Sequence, residues 1–267
     1  MKLARCRSND GTITYVALQP DGAALAIEGD PLTEYRVSDR RVVVDEWLAP
    51  VVPRQIIGIG LNYRHHANEA GMPLPTYPVV FHKTLNSVQA PDAPILLPRG
   101  VHCEKPDYEC ELAVVIGRDA KDVAPERALD HIFGYTCAND VSARDWQLDR
   151  GGGQWSYGKS FDTFCPLGPV VVTRDEIADP NDLAIRTELN GVTVQDWRTD
   201  DMIFDVRTLI AYLSAGTTLL AGTVILTGTP HGVGMAQTPP RWLVPGDEVV
   251  VEVEGIGRLR NPVAAEP

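Results

Sequence analysis

Positive charge is scarce in this chain. Lys and Arg total 24 against 36 Asp and Glu, a formal net charge of −12, and a chain without a basic footprint suits neither nucleic acid nor an anionic membrane surface. Any anionic substrate must then be drawn in by a few local cations inside an acidic shell. Cysteine is sparse as well: the five residues Cys6, Cys103, Cys110, Cys137 and Cys165 are odd in number and contain no C-x-x-C. That pattern excludes a disulfide framework and reads as buried free thiols in a reducing cytoplasm. His102, Cys103 and Cys110 lack the spacing of a zinc site. No apolar run approaches the roughly 18 residues that span a bilayer, and Met1-Lys2-Leu3-Ala4-Arg5-Cys6-Arg7 lacks the apolar core of a signal peptide. A cytoplasmic location is expected. There is no G-x-S-x-G serine elbow. Thr227-Gly228-Thr229-Pro230-His231-Gly232-Val233-Gly234 lacks the Gly-Lys-Ser/Thr ending of a P-loop, and Gly58-Ile59-Gly60 lacks the third glycine of a dinucleotide fingerprint.

What is present points to a β-rich protein. At 267 residues with 44% hydrophobic content, the chain can bury a full core and suits one large domain with a small appendage. Strand-like runs at 12–18 and 23–27 flank the turn Gln19-Pro20-Asp21-Gly22, so 1–52 reads as a small N-terminal β unit and 53–267 as the main domain. Further strands are expected at 55–59, 78–82, 110–116, 168–173, 183–189, 223–227 and 247–253. In the last, Val249, Val251 and Val253 alternate with Glu248, Glu252 and Glu254. Asp205 as N-cap and Val206, Leu209, Ile210 and Leu213 at helical spacing predict a helix over 206–215. A second is expected over 125–133, opened by Pro125. The fold class is β-rich α+β, a sandwich or roll with few helices.

The chemistry centres on Tyr108-Glu109-Cys110-Glu111-Leu112. In an extended chain Glu109 and Glu111 project to one face, where like charges repel unless a cation joins them. A lone E-x-E is more often a solvated edge strand, but here a third carboxylate, Asp140, follows another strand-like stretch. Its bland alternative is a helix N-cap. Three carboxylates make an all-oxygen site for Mg²⁺, with Mn²⁺ or Ca²⁺ as alternatives. A helix over 140–147 would bring Arg144 and Gln147 near the face of Asp140, where they can bind a substrate carboxylate; the bland reading is an exposed intrahelical ion pair. His66 and Glu69 stand at i, i+3, so that the carboxylate fixes one imidazole tautomer for general-base work. His65 is its neighbour, without a glutamate three residues on. Lys159, the only charge in the Gly158-Lys159-Ser160 stretch after Gly151-Gly152-Gly153, suits polarising an oxygen or neutralising the carboxylates.

In this order the segments Gly60-Leu61-Asn62-Tyr63, Phe81-His82-Lys83, Asp107-Tyr108-Glu109-Cys110-Glu111, Asn139-Asp140-Val141-Ser142-Ala143-Arg144-Asp145, Gly158-Lys159-Ser160 and Thr227–Gly234 resemble the fumarylacetoacetate hydrolase family. The resemblance implies a mixed β-sandwich roll, commonly homodimeric, acting on small anionic 2-oxo acids. It implies Glu109, Glu111 and Asp140 as metal ligands, and His66 and Glu69 as a catalytic dyad on a lid. Lys159 then lies near the nascent oxyanion, and Arg144, Gln147 and Thr229 contact substrate, with Thr163 a weaker transfer. Family members hydrolyse C–C bonds of 2,4-dioxo acids, decarboxylate oxaloacetate-type acids, or isomerise 2-hydroxydienedioates. The dyad favours an acylpyruvate-type hydrolase, with isomerase or decarboxylase as the alternative. A metal-bound module that binds a ligand without turnover is the remaining reading, disfavoured because a structural metal needs no base.

Overall fold

The computed structural model describes residues 1–267. Its largest sheet runs in the order Tyr35–Arg41, Ala24–Gly29, Ile13–Leu18, Lys2–Ser8, Cys165–Thr173, Ile132–Asn139, Cys110–Ile116, Thr223–Leu226, Gln55–Gly60 and Val79–Lys83. A smaller sheet has the order Val192–Arg198, Ala184–Leu189, Glu248–Val253, Gly257–Ala265 and Ile95–Leu97. Both are mixed: Thr223–Leu226 lies parallel to Gln55–Gly60, and Ile95–Leu97 parallel to Gly257–Ala265. Side chains of the two sheets share one core, in which Leu112, Val114 and Tyr135 meet Ile185, Val249, Val251 and Leu259. This is the expected β-rich sandwich with few helices.

The alternation at 249–253 is realised, with Val249, Val251 and Val253 each 1% exposed. The helix Val206–Ser214 begins where expected, and Asp205 caps it by accepting the Thr208 N–H at 2.7 Å. Over 125–133 the chain forms instead a 3₁₀ helix, Pro125–His131, because Ile132 already opens the strand beside Cys110–Ile116. The strands Lys2–Ser8 and Gly257–Ala265 carry no clean sequence signal, since arginines interrupt their apolar positions. The N-terminal strands continue the large sheet, Leu3 pairing with Val171. No helix is long and apolar enough to cross a membrane.

Register places the chemistry. Every residue of Cys110–Ile116 is buried, so this strand is a central one covered on both faces. Cys110 pairs with Asn139, and Asp140, the next residue, donates its backbone N–H to Glu109 O at 2.9 Å. Two strand ends therefore deliver Glu109 and Asp140 side by side.

Candidate active site

Glu109, Glu111 and Asp140 are buried, and one oxygen of each lies within 4.8 Å of the others. Two lysines reach in. Lys159 Nζ lies 2.7 Å from Glu109 Oε2, 2.6 Å from Asp140 Oδ2 and 2.7 Å from Ser142 Oγ. Lys83, at the end of its strand, donates to Asp140 Oδ1 at 2.6 Å. Glu111 accepts the Gly228 N–H at 2.6 Å. Gly228 has φ +98, and a Cβ there would stand 2.7 Å from Asn62 Cβ, so the loop can approach only as glycine.

The charge balance of the cluster favours a cation. Burial first, then Asp140 and Glu109, push the Glu111 carboxyl well above its ordinary value. Burial also raises Glu109, but Lys159 and Arg144 outweigh it and hold that carboxyl below the usual range. Burial lowers Lys159, and Asp140 and Glu109 more than offset it. The three carboxylates thus remain under-neutralised at Glu111, and an all-oxygen donor set with that strain fits a hard divalent cation.

Arg144 departs from the helical reading. The chain at 142–143 is a short strand paired with Pro106–Asp107, and a π-helix follows over Asp145–Arg150. Arg144 therefore turns from Asp140 toward Asp107, donating Nε–H to Asp107 Oδ2 at 2.9 Å and Nη1–H to Gln147 Oε1 at 2.8 Å. Its Nη2 lies 2.7 Å from Glu109 Oε1 and 2.9 Å from Asp107 Oδ2, so the guanidinium pairs with both carboxylates. Neither bland alternative holds: Arg144 is 4% exposed, and the Asp140 carboxylate is taken by lysines instead of capping a helix.

The short helix Arg64–Glu69 carries the imidazole. His66 Nδ1 is 3.1 Å from Glu69 Oε2, and Glu69 Oε1 accepts the Gly232 N–H at 2.8 Å. His65 faces away, with Nδ1 3.0 Å from Asp201 Oδ1 and its ring 4.4 Å from that of Trp197. Leu61, which leads into the helix, takes φ +52, a conformation that β-carbon residues adopt at a cost. The glycine-rich loop after Thr223–Leu226 thus touches Glu111 through Gly228 and Glu69 through Gly232, while Thr229 Oγ1 accepts from Gln195 at 2.8 Å.

His66, Glu109, Arg144, Gln147, Lys159 and Thr229 line one cavity of about 80 Å³. Thr163 does not join them and instead accepts the Leu96 N–H at 2.8 Å. His102, Cys103 and Cys110 form no metal cluster, all five cysteines are free, and Cys103 is only half-buried. Sequence reasoning missed Asp107 and Lys83. Asp107 was visible only as a residue beside the glutamates, and Lys83 only as a lysine ending an apolar strand. A surface groove of about 1050 Å³ beside Met1, Tyr35, Arg118 and Arg207 contains none of these groups.

A family profile described as Fumarylacetoacetate (FAA) hydrolase C-terminal matches residues 55–264, and one described as Rv2993c-like, N-terminal matches 1–50. The chain is 48% identical over 217 residues to oxaloacetate tautomerase fahd2, mitochondrial, of Xenopus laevis, covering 81% of this chain and 67% of that protein. It is similar to the crystal structure of 5-carboxymethyl-2-hydroxymuconate delta-isomerase from Mycobacterium smegmatis, at 41% identity and TM-score 0.87 over 100% of both chains. It is also similar to 2-hydroxyhepta-2,4-diene-1,7-dioate isomerase from Mycobacterium marinum, at 39% identity and TM-score 0.84, covering 100% of this chain and 99% of that one.

Proposed function

The chain belongs to the fumarylacetoacetate hydrolase family, and we propose that it isomerises a short 2-oxo dicarboxylate of the oxaloacetate type by moving a proton between carbon and oxygen. The observation that carries this reading is the small, partly open cavity of about 80 Å³ that His66, Lys159 and Arg144 line together. So small a space suits a compact four-carbon keto diacid better than an acylpyruvate with a long acyl tail. The name of the Xenopus laevis relative, an oxaloacetate tautomerase, supports it. This shifts the weight from C–C hydrolysis, favoured by the dyad alone, to the isomerase alternative, because an imidazole base serves proton transfer at carbon as well as water activation.

Glu109, Glu111 and Asp140 would hold a divalent cation, Mg²⁺ by their hard-oxygen chemistry, which supplies positive charge for a 2-oxo carboxylate to chelate. Glu69 accepts His66 Nδ1–H, which leaves Nε2 as the proton acceptor. Nε2 takes a proton from the carbon beside the keto group and, as imidazolium, gives it up to the keto oxygen, and ketonisation is the reverse of this transfer. The electron pair released moves onto the keto oxygen, and the Lys159 ammonium stabilises the charge that develops. The Arg144 guanidinium and the Gln147 side chain, which both line the cavity, bind the substrate's carboxylate.

A second reading, double-bond isomerisation of a seven-carbon 2-hydroxydienedioate, draws support from the names of the two mycobacterial structures. It uses the same proton transfer but needs a longer cavity. Ketonisation of enol-oxaloacetate, followed by loss of enol absorbance with Mg²⁺ present, tests the proposal. Acceleration over buffer is expected. Absence of acceleration, together with cleavage of a simple acylpyruvate, would return the function to C–C hydrolysis.

A further inference from the structure

We infer that Trp155 sets the length of substrate the cavity accepts; the inference rests on the isomerase reading only for the identity of the shortest substrate. The geometry begins with Gly58 and Gly60, which share one face of the strand Gln55–Gly60. Phe81 stands directly opposite Gly58 in the neighbouring strand, and a Cβ on Gly58 would lie 2.1 Å from the Phe81 ring. A Cβ on Gly60 would lie 2.0 Å from Trp155 Cζ3. The two glycines therefore act as seats for two aromatic rings, whose centroids are 6.1 Å apart.

These rings border the reacting groups. Lys159 Nζ lies 4.7 Å from the centroid of Phe81, and both aromatics line the same cavity as His66, Arg144 and Lys159. Phe81 is fixed, because it belongs to a paired strand and is 3% exposed. Trp155 belongs to a loop with unequal anchoring. On its C-terminal side Ser156 Oγ accepts the His82 N–H at 3.2 Å, and Gly158 is packed so closely that a Cβ would meet Gln147 N at 2.6 Å. On its N-terminal side Gly152 and Gly153 take φ +61 and +83, with no heavy atom within 4 Å of where a Cβ would stand. Trp155 is thus the largest side chain lining the cavity, and it is carried on a segment that can yield without disturbing a sheet.

The consequence is a length limit. With the indole seated on Gly60, the cavity holds about 80 Å³, and a diacid with additional methylenes along this wall presses on the ring. A methylene that gains or loses a packed wall is worth about 10–200-fold in discrimination, so one ring of this size suffices to separate a four-carbon from a six-carbon diacid.

The test measures binding and turnover in full-length wild type, Trp155→Ala and Gly60→Ala. Binding is read by calorimetry with Mg²⁺ present, using oxalate, 2-oxoglutarate and 2-oxoadipate. Wild type should bind oxalate best and 2-oxoadipate worst. Trp155→Ala should improve the 2-oxoadipate-to-oxalate affinity ratio at least about tenfold. Gly60→Ala, which unseats the ring and leaves it present, should shift the ratio in the same direction by less. Unchanged ratios in Trp155→Ala, with oxalate still bound, would overturn the inference, as would a wild type that binds all three equally. Enol-oxaloacetate turnover is scored separately: a wild type without it defeats the isomerase reading, while the affinity ratios still decide the role of Trp155.

Discussion

Asp107 Oδ2 lies 2.9 Å from Arg144 Nε, and both side chains are buried. Asp107 also accepts the backbone N–H groups of Gly234 and Met235 at 2.7 and 3.0 Å. One carboxylate thereby ties the arginine to the glycine-rich loop beside the dyad. Removing one partner of a buried pair leaves the other charge uncompensated, at a cost of about 3–5 kcal/mol. Asp107→Asn should therefore raise KM for the 2-oxo acid more than it lowers kcat, and it should lower the melting temperature. Arg144→Ala should show the same KM signature. A kcat loss at unchanged KM in both variants would mean that the pair serves chemistry rather than substrate binding.

The sequence made the carboxylate cluster legible because strand periodicity fixes which residues share a face, and Glu109, Glu111 and Asp140 each stand at or next to the end of a strand. The His66–Glu69 pair was legible for a similar reason, since i, i+3 spacing survives in even one turn of helix. Arg144 was misplaced because no local pattern separates an α-helix from a strand bridge followed by a π-turn; the pairing of Ser142 with Asp107 decides it. Lys83 and Asp107 join the site through contacts 57 and 37 residues away, a distance at which periodicity carries no information. The role of Gly58 and Gly60 was equally hidden, because a seat for a ring is defined by the ring.

The Glu111 carboxyl gives a pH-dependent prediction. Its folded pKa stands well above the ordinary value of 4.5 through burial and its neighbours. A raised carboxyl contributes stability below its unfolded pKa, and that contribution is lost as pH rises through the folded pKa. With EDTA present, the melting temperature should fall across that rise. With Mg²⁺ the fall should shrink, because binding displaces the proton and neutralises the cluster. Calorimetry in two buffers of different ionisation enthalpy should register proton release on Mg²⁺ binding, and Glu111→Gln should abolish both effects. Proton-neutral Mg²⁺ binding would remove Glu111 from the ligand set.

Lys159 bridges Glu109 and Asp140, so its loss affects both charge balance and the developing oxyanion. Lys159→Met should lower kcat by about 10²-fold, the scale of a lost preorganised positive charge beside the developing oxyanion, with Mg²⁺ affinity retained or raised. Lys83→Met, which removes contacts to Asp140 and to the Val141 carbonyl but none to Glu109, should affect kcat less. Equal kcat losses in the two variants would mean that neither lysine has a specific part in the reaction.

The adjacent histidines provide the sharpest contrast. His66 lines the cavity and bonds Glu69, whereas His65 bonds Asp201 and packs on Trp197. If His66 transfers the proton, His66→Ala should slow enol-oxaloacetate ketonisation by about 10²-fold or more, the usual scale for a general base. Glu69→Gln keeps the ring in place but weakens support for its protonated form, and it should shift the pH profile of kcat/KM as well as reduce it. His65→Ala loosens the base of the same helix without touching the cavity, so its effect should fall mainly on KM, with the pH profile unchanged. Retained ketonisation in His66→Ala, with acylpyruvate cleavage lost, would show that the imidazole activates water and would restore the hydrolase. Equal effects from the two alanine variants would mean that the helix acts as a cover, and that the proton moves through Lys159 instead.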